Sequence, residues 1–234
     1  MPRSPAIFSK TIKKTLWNVY DALGFLIRSN FYFFLGSLFI VTIPVSFVSL
    51  VGVIDAHYKS PDSESTSFWK SYQKYFWVSS KYFAGYALFV AMVFWGWGFF
   101  MSIEGWMRYI GIFLETIAGW LLILFGLASV YAPSVIVQAK GKGSISQIWT
   151  NCFMQFLAFP WLSFCLWGGI LLWVLLCVWT KILMILVASV LGVLLTNTYT
   201  LSRAFAKGED ITLGERSWKG FWRPWEGSDE KTAK

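Results

Sequence analysis

Glu115 is the carboxyl group of this sequence that most needs a chemical explanation, because its neighbours on both sides are almost all apolar. Gly111 and Gly119 flank it at four-residue spacings, so small residues share its helical face and would let another helix approach closely. A carboxyl held among apolar groups needs a partner or a proton, which is the chemistry of ion and proton pathways. Its place a turn or two from the end of its segment also gives it a route to water, and that favours a structural role. Asn18, Asp21 and Arg28, at i, i+3 and i+10, form a second polar set on one helical face. They could line a polar stripe against another helix, but they stand close to a basic end where they reach water by snorkelling.

The remaining reactive side chains make no constellation. His57, beside Asp55 and Tyr58, is the one histidine of the chain, which leaves no recognisable metal or haem site and reads as a loop histidine. Cys152, Cys165 and Cys177 are odd in number, form no C-x-x-C pair, and read as small buried hydrophobes. Gly96-Trp97-Gly98 and Gly168-Gly169 follow no strand and precede no Lys-Ser/Thr pair, so helix packing explains them better than phosphate binding. With no Ser-His-Asp order and no paired catalytic carboxylates, an enzyme is not expected, and neither is a cofactor.

The elements that must position these residues are helices in a bilayer. Five stretches, 29–54, 82–103, 116–139, 143–180 and 182–202, hold no Asp, Glu, Lys, Arg or His. A spanning helix needs about 20 mostly apolar residues to cross roughly 30 Å of hydrocarbon. Hydrophobic residues are 56% of the chain and charged residues 14%, against about 25% charged in an ordinary soluble domain. The predicted fold is all-α: a polytopic transmembrane bundle over 1–207, with a tail over 208–234.

The distribution of Lys and Arg orients that bundle, since cytoplasmic loops retain them. The N-terminal segment, segment 55–81, the Lys140–Lys142 loop and the tail from Arg203 are all basic, whereas the connections near 104–108 and 180–181 hold only Arg108 and Lys181. For the basic regions to share one side, 16–54 must cross twice or not at all. Pro44 offers a break, because it lacks an N–H and disfavours helix at the residue before it. The resulting expectation is six membrane helices in three hairpins, over 12–42, 45–58, 68–101, 107–137, 145–179 and 181–205, with both termini cytoplasmic. The second is short or re-entrant. Pro133 and Pro160 are further helix breaks, and Ser144-Ile145-Ser146-Gln147 has the spacing of a capping box.

Segment 67–81 interleaves Lys70, Lys74 and Lys81 with Trp69 and Trp77, as expected of a basic amphipathic helix at anionic headgroups. Stacking on single-stranded nucleic acid would use similar residues, but fusion to a spanning segment favours lipid. Trp218, Lys219, Phe221, Trp222, Arg223 and Trp225 make a similar cluster in the tail, read as an interfacial anchor or a strip for a partner subunit.

Several short signatures resemble the YesL-like family of bacterial integral membrane proteins, a domain of unknown function, over about 10–207. They are Leu16-Trp17-Asn18, Ile40-Val41-Thr42-Ile43-Pro44, Phe68-Trp69-Lys70-Ser71-Tyr72, Pro133, Asn197 and Leu201-Ser202-Arg203. In that family the turn usually continues with Gly and Pro, whereas here Pro44 follows Ile43 directly. The resemblance implies a multi-pass protein of the bacterial cytoplasmic (inner) membrane, accessory to carbohydrate import of the binding-protein-dependent ABC type. It brings no catalytic residues. The function expected is therefore a non-enzymatic accessory or scaffold subunit with other membrane subunits as partners. The alternatives are a small secondary transporter or channel, and a subunit of a bioenergetic or photosynthetic assembly that holds quinone, lipid or pigment.

Overall fold

A computed structural model describes residues 4–59, 67–180 and 186–207 of the chain. Among them all regular structure is helical: α1 (Ser4–Asp21), α2 (Leu23–Gly36), a 3-10 turn (Ile40–Thr42), α3 (Ile43–Lys59), α4 (Phe68–Ser102), α5 (Trp106–Ser129), α6 (Ala132–Gln138), α7 (Ile145–Ala158), α8 (Pro160–Thr180) and α9 (Val187–Ala206). The tail 208–234 with its Trp218–Trp225 cluster, and Lys181 at the expected start of the sixth helix, lie outside the described residues.

Several expected helices are cut into shorter ones. The segment expected as one helix over 12–42 breaks at Ala22 and ends at Gly36, where the N–H of Ser37 donates to the carbonyl of Phe34 at 3.1 Å. Pro44 is not the turn; it sits in the first turn of α3, where its missing N–H would lack an intrahelical partner anyway. Pro133 likewise lies in the first turn of α6, after a two-residue break at Val130–Tyr131 that ends α5. The expected helix 145–179 is two helices, since Phe159 leaves the helical conformation and Pro160 opens α8. The capping box is present: Ser144 Oγ accepts from the N–H of Gln147 and Gln147 Oε1 accepts from the N–H of Ser144, both at 3.2 Å.

The packed core is built on α3, α6, α9 and the first half of α4. Phe68, Ser71, Tyr75, Ser79 and Tyr82 are buried along α4 at spacings of three and four, a single stripe that alternates aromatic and small residues. Gly52 of α3 faces that stripe, and a Cβ there would stand 2.7 Å from Cε2 of Tyr75, so this close approach requires glycine. Trp149 of α7 stacks on Tyr82 at 4.6 Å between ring centres. Segment 67–81 is the packed beginning of α4, as the expected helix over 68–101 has it, with Lys70, Lys74, Trp77 and Lys81 on its exposed side.

Four of the described helices are long and apolar enough to cross a membrane: Ile40–Lys59 with its leading 3-10 turn, Phe68–Ser102, Trp106–Ser129 and Pro160–Thr180. This corrects the expectation of six. At 14 residues α2 is about 21 Å long, too short for a crossing. In α9 a run of Thr196, Asn197, Thr198 and Thr200 with Arg203 lowers the hydropathy, and most of that helix is buried on its neighbours. The α4–α5 hairpin turns at Gly105, whose φ of 83° is open to glycine and strained for other residues.

Candidate functional site

Of the stripe Asn18, Asp21 and Arg28, Asn18 joins the polar seam between α1, α2 and α9. Asn18 Nδ2 donates to Asn197 Oδ1 at 3.1 Å, and Asn197 Nδ2 donates to Thr15 Oγ1 at 3.2 Å. Higher along the seam, Asn30 Oδ1 accepts from the N–H of Ser189 at 3.2 Å and Ser189 Oγ donates to the carbonyl of Leu26 at 2.8 Å. Asp21 and Arg28 are exposed, and the Arg28 guanidinium lies 5.8 Å from the Tyr32 ring centre. The seam is a chain of amide and hydroxyl bonds that fixes α9 in the bundle. Sequence spacing does not reveal Asn30 or Ser189, whose partners are more than a hundred residues away.

Glu115 meets α4 through Gly96, not through the glycines of its own helix. Its Oε1 occupies the space a Cβ on Gly96 would need, while Gly111 accommodates Phe100 and Gly119 faces open space. Glu115 Oε2 is buried with no hydrogen-bond partner among the described residues. Trp97, Phe100, Met101 and Ile112 surround the carboxyl so tightly that no void there admits a water molecule. His57 is in the last turn of α3 rather than in a loop, with its ring stacked on Phe25 at 4.0 Å and 12°. Cys152, Cys165 and Cys177 form no disulfide, and no metal-ligating cluster occurs among the described residues.

Among the described residues, a cleft of about 370 Å³ opens where α3, α4 and the end of α6 converge. Lys59 and Asp55 come from α3, Lys70, Ser71, Lys74 and Tyr75 from α4, and Gln138 and Lys140 from the α6 end. Asp55 is already engaged: Lys59 Nζ lies 2.6 Å from its Oδ2, and Gln138 Nε2 is 3.5 Å from its Oδ1. Lys74 Nζ stands 5.0 Å from the Tyr75 ring centre. Lys140 adopts φ 54° and Gly141 φ 73°, and a Cβ on Gly141 would stand 3.1 Å from the Lys74 carbonyl, so this turn is pressed onto α4. Lys70, Lys74 and Lys140 have no carboxylate partner among the described residues. The spacing of Lys70 and Lys74 is legible in the sequence; that Lys59 and Lys140 join them is not.

Fold and site together define an all-helical chain compatible with a multi-pass membrane protein that carries a basic cleft at one end of its bundle. Comparison with protein-family models, curated proteins and solved structures found no match.

Proposed function

We propose that this chain is a non-enzymatic multi-pass protein of a bacterial cytoplasmic membrane that works as an accessory or scaffold subunit. In this reading its basic end faces the cytoplasm, in line with the retention of Lys and Arg on that side. The observation that supports this reading is the packing of the α4–α5 hairpin. None of the apolar window of α4 and only 6% of that of α5 is buried by the rest of the chain. Phe94, Trp95, Trp106 and Tyr109 are largely exposed there. Lipid or the helices of other subunits must cover such a surface, since a soluble monomer rarely exposes apolar patches beyond a few hundred Å².

The proposed setting beside a carbohydrate ABC importer rests on the YesL-like signatures alone. Purification in mild detergent, followed by mass measurement and identification of retained membrane subunits, tests the scaffold role. A stoichiometric partner is the expected result; a bare monomer under every mild condition removes the role. A small transporter is the second reading, favoured by the partnerless Oε2 of Glu115. It requires ion or solute flux in proteoliposomes that Glu115→Gln abolishes, and unchanged flux would end it.

A further inference from the structure

We infer that the cleft between α3, α4 and α6 is a binding site for a phosphate group, carried by an anionic lipid headgroup or by a soluble phosphate monoester. Three lysines from two parts of the chain, Lys70 and Lys74 of α4 and Lys140 after α6, line one cavity without an acidic partner among the described residues. Like charges gathered around a cavity repel one another, and an anion offsets that repulsion. The fourth ammonium, Lys59, neutralises Asp55, whose other oxygen faces Gln138. Asp62 and Glu64 belong to the connection between α3 and α4. Even counted with Asp55 they are outnumbered by the four ammonium groups.

Two further features suit an anion. The left-handed turn Lys140-Gly141 is held against the Lys74 carbonyl, which fixes Lys140 beside the α4 lysines rather than leaving it on a free loop. Ser71 adds a hydroxyl to the same lining, one residue from Lys70 and three from Lys74 on α4. The volume of about 370 Å³ suits a phosphate and a small polar group attached to it. Trp69 and Trp77, both exposed on the same part of α4, are the residue type found at headgroup depth, which favours the lipid source.

The test uses the full chain in nanodiscs of phosphatidylcholine with or without phosphatidylglycerol, with native mass spectrometry counting retained phosphatidylglycerol. Inorganic phosphate and glycerol 3-phosphate are titrated separately by calorimetry. Wild type should retain phosphatidylglycerol or bind one of the soluble anions. Lys70→Gln/Lys74→Gln/Lys140→Gln should weaken that binding at least about tenfold, since each lysine near an anionic group adds appreciably to attraction. Lys140→Gln alone should give a smaller loss with unchanged thermal unfolding, and arginine at all three positions should restore binding. Retention of lipid with no response to soluble anions assigns the headgroup; the reverse assigns the soluble monoester. Absence of binding to every anion, or an equal loss in Lys10→Gln/Lys13→Gln on α1, would overturn the site. The soluble-anion arm is independent of the scaffold role, so loss of partner subunits leaves it unaffected.

Discussion

Helix α3 and the apolar half of α4 have similar hydropathy, yet 56% of the apolar window of α3 is buried inside the protein and none of that of α4 is. The difference lies in residue size and polarity rather than in apolarity. Ser46, Ser49 and Gly52 put small groups at the contacts of α3, so α2, α4 and α9 approach closely and bury Val48, Leu50, Val51 and Ile54. Along the exposed part of α4, Phe94, Trp95, Trp97 and Phe99 project outward with little of the chain against them. Helices surrounded by lipid gain nothing hydrophobic by packing on one another, so large aromatics suit the outer surface and small residues suit the contacts. One region is a core for the other elements; the other is a surface for the bilayer or a partner.

Substitutions that enlarge glycine should separate the two regions most sharply. Gly52→Val drives a side chain into the Tyr75 ring and should lower stability by about 3 kcal/mol. Gly98→Val meets open space and should stay within about 0.5 kcal/mol of wild type. Unfolding of helical signal in detergent against denaturant measures both, and equal effects would erase the distinction between core and surface helices.

A smaller contrast concerns polar groups. Asn197→Ala removes two side-chain hydrogen bonds of the α1–α9 seam and should cost about 1–2 kcal/mol. Glu115→Gln breaks no hydrogen bond to Oε2 among the described residues and should leave the unfolding midpoint nearly unchanged. Tyr131→Phe deletes the bond between Tyr131 Oη and Ser163 Oγ, 2.9 Å long and buried, at a cost of about 1 kcal/mol. Trp95→Ala should also leave the isolated fold within about 0.5 kcal/mol of wild type, because Trp95 is 80% exposed. Its consequence should instead be weaker retention of partner subunits in mild detergent.

The capping box at Ser144 and the start of α4 at Phe68 follow from local patterns, and the structure has them where those patterns put them. The break at Ala22 carries no proline and no glycine at the break itself, so the first segment reads as one helix although the backbone at Ala22 leaves the helical conformation. Pro44 and Pro133 mislead for a shared reason: proline fits the first turn of a helix as well as it ends one. Asn197 and Asn18 are visible as polar residues among apolar ones, whereas their bond joins the two ends of the chain and no spacing encodes it. The cleft is half legible. Lys70 and Lys74 share a face by helical periodicity, while Lys59 and Lys140 reach them only through the packing of α3 and α6 on α4.

The most direct test of the membrane reading is the sidedness of single cysteines at Ser102, Phe94 and Lys140, probed with an impermeant thiol reagent in oriented vesicles against the parent chain. Lys140→Cys should react from the cytoplasmic side, Ser102→Cys only from the opposite side, and Phe94→Cys from neither. Reaction of positions 102 and 140 from the same side, or free labelling at 94, would contradict a hairpin of α4 and α5 that crosses the bilayer.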